Sequence, residues 1–198
     1  MNSKEHILQT AVSLFSKQGF ASVSMRDLAK SVKMSTSAVY HYYPNKQALY
    51  LAAVQFAFAK QASSFDEIWQ TELAAEEKLS YFVSRLVTVL MADVDFRRLI
   101  QRELLDADDE RMQILAKDVF QEQFSYLMSV MEQLNGRQQQ AHFSALSVLA
   151  LVCNIIQMQP LNRYFPGWRA EYETQDYISQ QVMQLLIYGI RQKDDEKK

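Results

Sequence analysis

The sequence predicts an all-α chain, and three observations carry that expectation. Only four glycines and three prolines punctuate 198 residues. Apolar residues recur at three- and four-residue spacing almost throughout, and strict apolar–polar alternation is scarce. A chain of this length buries a core without staples. Cys153 is the single cysteine, so neither an intrachain disulfide nor a thiolate-clustered zinc site can form, which suits a reducing cytoplasm. The start, MNSKEHILQT, lacks a basic segment followed by an apolar one. The most apolar stretch, 143–158, is interrupted by Asn154 and Gln157, so neither a signal peptide nor a membrane span is expected.

Ile7, Leu8, Ala11, Val12 and Phe15 form the stripe of a first helix. Asn2 and Glu5 are spaced as its capping box, and Gly19 stands where a left-handed residue ends a helix. Ser24, with Asp27 three residues on, caps a short second helix whose inner face is Leu28, Ala29 and Val32. A turn around Lys33 and Met34 leads to Ser35, the cap of a third helix. That helix must stop near Tyr43, because Pro44 disfavours helical backbone in the residue before it. Asn45 caps a fourth, linking helix that continues from Ala48 to about Phe65, with Trp69 packing at its far end.

The remainder reads as longer helices. Leu79, Phe82, Val83, Leu86 and Leu90 mark one; Phe96, Leu99, Ile100 and Leu104 mark a shorter one, in which Arg102 and Glu103 either face inward as a buried pair or, as is usual for charged neighbours at helical spacing and preferred here, are solvated. Met112, Leu115, Val119, Phe120, Phe124, Leu127, Met131 and Leu134 make one long stripe, closed by Asn135 and Gly136. A helix from about Gln138 to Gln159 is apolar around most of its circumference. The last helix follows Pro166 and Gly167, is capped near Thr174, and holds Tyr177, Ile178, Val182, Leu185, Leu186 and Ile190. The tail, KDDEKK, reads as a solvated end.

Charge is divided unevenly along the chain. In the first fifty residues Lys4, Lys17, Arg26, Lys30, Lys33 and Lys46 face only Glu5 and Asp27, a net of +4, which leaves −6 for the rest of a chain whose total is −2. A basic head on an acidic body suggests a polyanion partner. Small helical segments also show such imbalance by chance, so charge alone leaves the matter open.

Arrangement narrows it. Two short helices separated by a tight turn and braced by a longer helix are the layout of a helix-turn-helix DNA reader. The second of them carries Thr36, Ser37, Tyr40, His41 and Tyr42, while Ala38 and Val39 pack inward. Its short N-terminal side chains allow close approach to a major groove, where hydroxyls reach base edges or phosphates. One tyrosine here would be ordinary core. Tyr40, His41, Tyr42 and Tyr43 in succession cannot all be buried by one helix of a small head.

These residues resemble a known family. Ser24 through Ala29, Met34 and Ser35, and above all AVYHYYPNKQAL from Ala38 to Leu49, are similar to the signature of the TetR family of bacterial transcriptional regulators, over roughly the first quarter of the chain. The resemblance implies a helix-turn-helix head, residues 1–47, followed by a helical effector-binding and dimerisation domain, residues 48–198. It implies that Thr36 and Ser37 touch bases or phosphates, that Tyr40 and Tyr42 hold the DNA backbone, and that Lys46 neutralises a phosphate. Arg26 would reach a guanine or else pair with Asp27 on the helix surface. The DNA-contacting set is then Ser24, Arg26, Ser35, Thr36, Ser37, Tyr40, His41, Tyr42 and Lys46. One position departs from the family, which usually has glycine in the turn where this chain has Lys33; a non-glycine residue at positive φ costs about 1 kcal/mol.

The helix from Gln138 presents Ala145, Leu149, Val152 and Ile156 on one side and Leu146, Leu151 and Ile155 on another, more apolar surface than one core needs. The resemblance implies that the last two long helices pair with a second copy, so that two reading helices meet one palindromic operator on double-stranded DNA. It also implies a small effector. Met91, Phe96, Met112, Phe120, Phe124, Met128 and Trp168 supply flexible and flat apolar groups for an adaptable cavity, beside their role as core. Phe96, Phe120, Phe124, Met128, Asn154 and Gln157 are the candidate ligand contacts, Asn154 and Gln157 being equally suited to a dimer interface. An effector favouring splayed heads would release the operator, the coupling passing along the helix that begins at Lys46.

Neither cofactor nor metal is expected, nor catalysis: Cys153 sits in an apolar helix, His6, His41 and His142 lack paired metal spacing, and a glycine-rich phosphate loop is missing. A ligand-independent or activating regulator remains compatible with the first fifty residues, and an enzyme is the more distant alternative.

Overall fold

A computed structural model of the chain describes residues 3–191, which form ten α-helices, with no strand among them. α1 spans Ser3–Gln18 and buries Ile7, Leu8, Ala11, Val12 and Phe15. Asn2, read above as half of a capping box, lies outside the described residues. Gly19 ends the helix at φ +81° and donates its N–H to the Phe15 carbonyl at 2.9 Å.

α2 (Met25–Ser31) opens with the expected capping box: Asp27 N–H donates to Ser24 Oγ at 3.1 Å, and Ser24 N–H donates to the Asp27 carboxylate at 3.0 Å. Val23 and Leu28, one residue before the cap and four after it, are both buried, the positions of a hydrophobic staple. The helix closes with a Schellman pattern, in which Met34 N–H reaches the Ala29 carbonyl and Lys33 N–H the Lys30 carbonyl. That pattern requires one left-handed residue, and Lys33 takes it at φ +57°. α3 (Thr36–Tyr42) is capped by Ser35, whose Oγ accepts from Ala38 N–H at 3.1 Å; it stops at Tyr43, extended at φ −138°, before Pro44. α4 (Lys46–Trp69) begins where Asn45 Oδ1 accepts from Ala48 N–H at 2.8 Å.

The remaining helices are α5 (Ala75–Ala92), α6 (Val94–Asp106), α7 (Asp109–Leu115), α8 (Gln121–Asn135), α9 (Gln138–Asn162) and α10 (Gln175–Arg191). Between α7 and α8 the backbone makes a π-helical passage, Ala116–Phe120, where one uninterrupted helix was expected. Its trace is visible in the stripe, which runs to Val119 and restarts at Phe120, a one-residue advance that a π turn absorbs. Gly136 closes α8 at φ +61°. Tyr177 N–H donates to Thr174 Oγ1 at the start of α10, after a 3₁₀ turn over Ala170–Glu173. The side chain of Ile190, assigned to that helix's apolar face, lies outside the described ones.

The chain divides into two compact units, 1–63 with 93–121, and 64–92 with 122–198. In the first, α1 packs along α6, and polar groups pin the contact at the C-terminal end of α1. Ser16 Oγ donates to Asp95 at 2.8 Å, and Arg102 donates to the carbonyls of Ser16 and Lys17, the unsatisfied end of α1, each at 2.8 Å. The Tyr50 ring meets Phe15 and Phe20 edge to face, at 4.9 Å and 5.0 Å, while those two rings stack on each other at 6.2 Å.

α6 corrects the sequence reading. Phe96 and Leu99 are buried as expected, but the next inward residue is Glu103, 2% exposed, while Leu104 stands 60% exposed. Glu103 is not solvated, and its partner is not Arg102. It accepts from Tyr50 Oη at 2.5 Å and from Arg111 Nε at 2.9 Å, so the buried charge is both paired and hydrogen-bonded. Arg102 turns the other way to cap α1.

In the second unit α5 packs on α9 and α10. Leu79, Phe82, Val83 and Leu90 meet a core that includes Ala141, Ala145, Val148, Val152 and Ile156 of α9 and Ile178 and Val182 of α10. Trp69 packs at the end of α4 as expected, stacked on Tyr126 at 5.7 Å. Its indole N–H donates to Gln123, which in turn donates to Asp66. By length and composition α9 could also cross a membrane, and only 28% of its most apolar part is buried within the chain.

Candidate nucleic-acid interface

The second helix of the helix-turn-helix owes its outward face to arithmetic. Seven residues capped at both ends make about two turns, and one side of them must close on the core. Val39 is that anchor, fully buried, and Tyr43 follows beneath the helix end. Tyr40, His41 and Tyr42 therefore project outward; Tyr40 is 48% and Tyr42 39% exposed, and the rings of His41 and Tyr42 meet edge to face at 5.8 Å. Of four consecutive rings, three face solvent and one is buried. Burial raises the pKa of the Tyr43 phenol above its ordinary range.

Beside this face lies an open concavity of about 440 Å³, lined by the loop residues Ala21, Ser22 and Val23, by Ser24, Met25 and Arg26 at the start of α2, by Thr36 and Tyr40 of α3, and by Lys46 at the start of α4. Five of the nine residues proposed to contact DNA thus share one surface. Ser35 and Ser37 are exposed at the start of α3, and His41 and Tyr42 at its end. Ser24 and Ser35 each spend their hydroxyl on a cap. The Asp27 carboxylate closes on Ser24, whose hydroxyl and backbone N–H hold its pKa below the usual 3.8, with smaller contributions from the charges of Lys30 and Arg26.

Lys46 is engaged within the head. Its ammonium donates to the carbonyls of Phe20 at 3.0 Å and Ala21 at 3.4 Å and sits 4.4 Å from the Phe20 ring centroid. Two of its three N–H donors are thereby engaged. The loop residues Phe20, Ala21 and Ser22 were not singled out from the sequence. A signal was available in Phe20, an aromatic residue directly after a helix-ending glycine.

The six candidate ligand contacts are drawn from both units. Phe96 is buried in α6, and Phe120 meets Phe58 edge-on at 5.0 Å, both within the first unit. Phe124, against His142 at 5.2 Å, and half-buried Met128 belong to the second. Asn154 and Gln157 are exposed on α9, and Asn154 donates back to the Ala150 carbonyl of its own helix at 2.8 Å. Cys153 beside them has its thiol pKa raised by burial. Among the described residues no group of three or more His, Cys, Asp or Glu is arranged to hold a metal.

Comparison with known proteins agrees with this geometry. Residues 7–53 match the family of bacterial regulatory proteins named tetR. An uncharacterized HTH-type transcriptional regulator of Bacillus subtilis, YuxN, is 24% identical over 153 residues, 75% of this chain and 52% of that protein. IcaR of Staphylococcus epidermidis, a negative transcriptional regulator of a biofilm operon, is 33% identical over 55 residues, 28% of this chain and 30% of its own length. The chain thus spans about half the length of the first relative and under a third of the second. The crystal structure of the transcriptional regulator FadR from Bacillus subtilis, in complex with stearoyl-CoA, aligns over 93% of this chain and 97% of that one, with a TM-score of 0.75 at 17% identity.

Proposed function

We propose that this chain, whose residues 7–53 match the TetR family of bacterial regulatory proteins, binds a palindromic operator as a homodimer, represses transcription there, and is released by a small, largely apolar effector. The observation that carries this reading is the outward face of α3 beside a concavity rimmed by Arg26 and Lys46. Hydroxyls and rings at that face suit base edges and sugar–phosphate contacts, and the two cations suit phosphates. We assign residues 1–47 to reading and 48–198 to effector binding and dimerisation.

Dimerisation has its own support. Phe143, Leu146, Met158 and Leu161 of α9 and Leu185 and Tyr188 of α10 are exposed, an apolar surface that a second copy would cover. The low burial of α9 within one chain is then the burial that its partner completes, in the cytoplasm and without a membrane. Repression is favoured by the relative IcaR, a negative regulator. For the effector, FadR solved with stearoyl-CoA makes long-chain acyl thioesters the first class to try, with Phe96, Phe120, Phe124, Met128, Asn154 and Gln157 as contacts. A ligand binding one head spacing better than the other needs only about 1 to 3 kcal/mol of coupling to change operator occupancy.

Selection of bound duplexes from a random pool tests the reading, followed by footprinting of the enriched site with and without acyl-CoAs. The expected result is a two-fold symmetric motif whose protection is lost on adding effector. Failure to enrich any motif at moderate salt ends the DNA-binding reading; a motif whose protection no effector alters supports a ligand-independent regulator instead.

A further inference from the structure

We infer that Arg111 is a positioning residue for the DNA contact made by Lys46, acting through the ring of Phe20; the inference rests on the reading of Lys46 as a phosphate contact. Two cations lie over that one ring, the Lys46 ammonium 4.4 Å and the Arg111 guanidinium carbon 4.3 Å from its centroid. They are held very differently. Arg111 is 6% exposed and tied to Glu103 at 2.9 Å, Asp108 at 3.5 Å and Asp106 at 3.8 Å, with Glu103 itself fixed by Tyr50. Among the described residues Lys46 has neutral partners, the ring and two carbonyls.

The asymmetry decides which cation moves. A guanidinium held by three carboxylates is a fixed point, and it fixes the Phe20 ring against it. Phe20 in turn offers Lys46 both its ring and its carbonyl, so the α6–α7 corner sets where the ammonium sits at the rim of the concavity. Two like charges drawing on one ring each weaken the other's hold. Arg111 therefore keeps Lys46 in place but loosely held, ready to pass to a phosphate. Without Arg111 the ring and carbonyls would retain Lys46 more firmly, and DNA would gain less from it.

The test is a double-mutant cycle on the full chain, combining Arg111→Met/Glu103→Gln, which removes both buried charges together, with Lys46→Ala. Affinity for a selected operator and for random duplex is read across salt, and the Lys46 ε-methylene shift is read by NMR in the DNA-free protein. We expect Arg111→Met/Glu103→Gln to weaken binding about two- to fivefold, the range of an exposed cation–π contact. It should leave affinity unchanged once Lys46 is alanine, and it should move the ε-methylene signal, which the Phe20 ring current displaces upfield in the native protein. Additive effects, or an unmoved ε-methylene signal, overturn the inference and leave the phosphate contact standing. Unchanged affinity for Lys46→Ala alone overturns the phosphate reading, and the inference falls with it. Should Arg111→Met/Glu103→Gln fail to fold, Phe20→Leu asks the same question with the Arg111–Glu103 pair whole: its effect on affinity must vanish in the Lys46→Ala background, and an effect that persists there overturns the inference.

Discussion

Tyr50 on α4 donates its phenolic proton to Glu103 on α6 across 2.5 Å, in an interior where the Arg111 guanidinium supplies the balancing charge. A buried carboxylate stripped of one donor bears the desolvation cost of the freed oxygen. Tyr50→Phe should therefore cost about 2 kcal/mol of folding stability in denaturant melts. The phenol's pKa is pushed far above its ordinary 10.0, first by burial and then by the hydrogen bond to Glu103 and that group's charge. Its contribution is fully present below pH 10 and is lost as pH rises beyond it, because the unfolded chain ionises first. Tyr50→Phe should flatten that alkaline decline; an unchanged slope would show that Tyr50 plays no part in it.

Lys33 holds the left-handed position of a Schellman closure at φ +57°, where a side chain is strained and glycine is not. Lys33→Gly should raise the denaturation midpoint, by up to about 1 kcal/mol in stability. A loss of that size would mean that the lysine side chain stabilises the turn by more than its backbone strain costs.

Ser24→Ala removes one half of the α2 capping box and should destabilise by about 1 kcal/mol. The other half is pH-dependent. The Asp27 pKa is held below 3.8 chiefly by the Ser24 hydroxyl and next by the Ser24 backbone N–H, so its contribution is present above that value and disappears as pH falls through the lower, folded-state value. The stability difference between the native chain and Asp27→Asn should be constant from neutral pH to about pH 5 and shrink in more acid solution.

At the reading face, Lys46→Ala should weaken binding to all duplexes alike and reduce the salt slope by about one, whereas Ser37→Ala should alter the ranking of operator variants. Binding titrations on a small panel of duplexes at several salt concentrations separate the two. Unchanged affinity and ranking in both variants would remove this surface from the interface.

Leu185→Glu with Phe143→Glu places charge on the exposed apolar surfaces of α10 and α9. Sedimentation should find a monomer with an unchanged helical spectrum and weakened operator binding, since a single head loses its tethered twin. A dimer that survives both charges would relocate the interface.

Where the deciding physics was local, it could be read in the residue order. Ser24 with Asp27, Ser35, Asn45, Gly19 and Pro44 bound the head helices through contacts within four residues, and those boundaries held. Three exposed rings and one buried one follow from helix periodicity. The one-residue advance between Val119 and Phe120 carried the π passage, although a single stripe hid it. The candidate ligand contacts were grouped by composition, which does not assign Phe96 and Phe120 to the first compact unit and Phe124 and Met128 to the second.

The sequence by itself determined an all-helical chain, a capped helix-turn-helix and which of its side chains face outward, because each depends on neighbours a few residues away. Only the tertiary structure decided that Glu103 rather than Leu104 turns inward. Seven and eight residues beyond Phe96, both lie on the same side of α6, so periodicity ranks them equally and hydrophobicity favours the wrong one. A tyrosine 53 residues away and the guanidinium of Arg111 settle it, because they make a buried carboxylate cheaper than the unpaired hydroxyl and cation that a leucine would leave beneath the head.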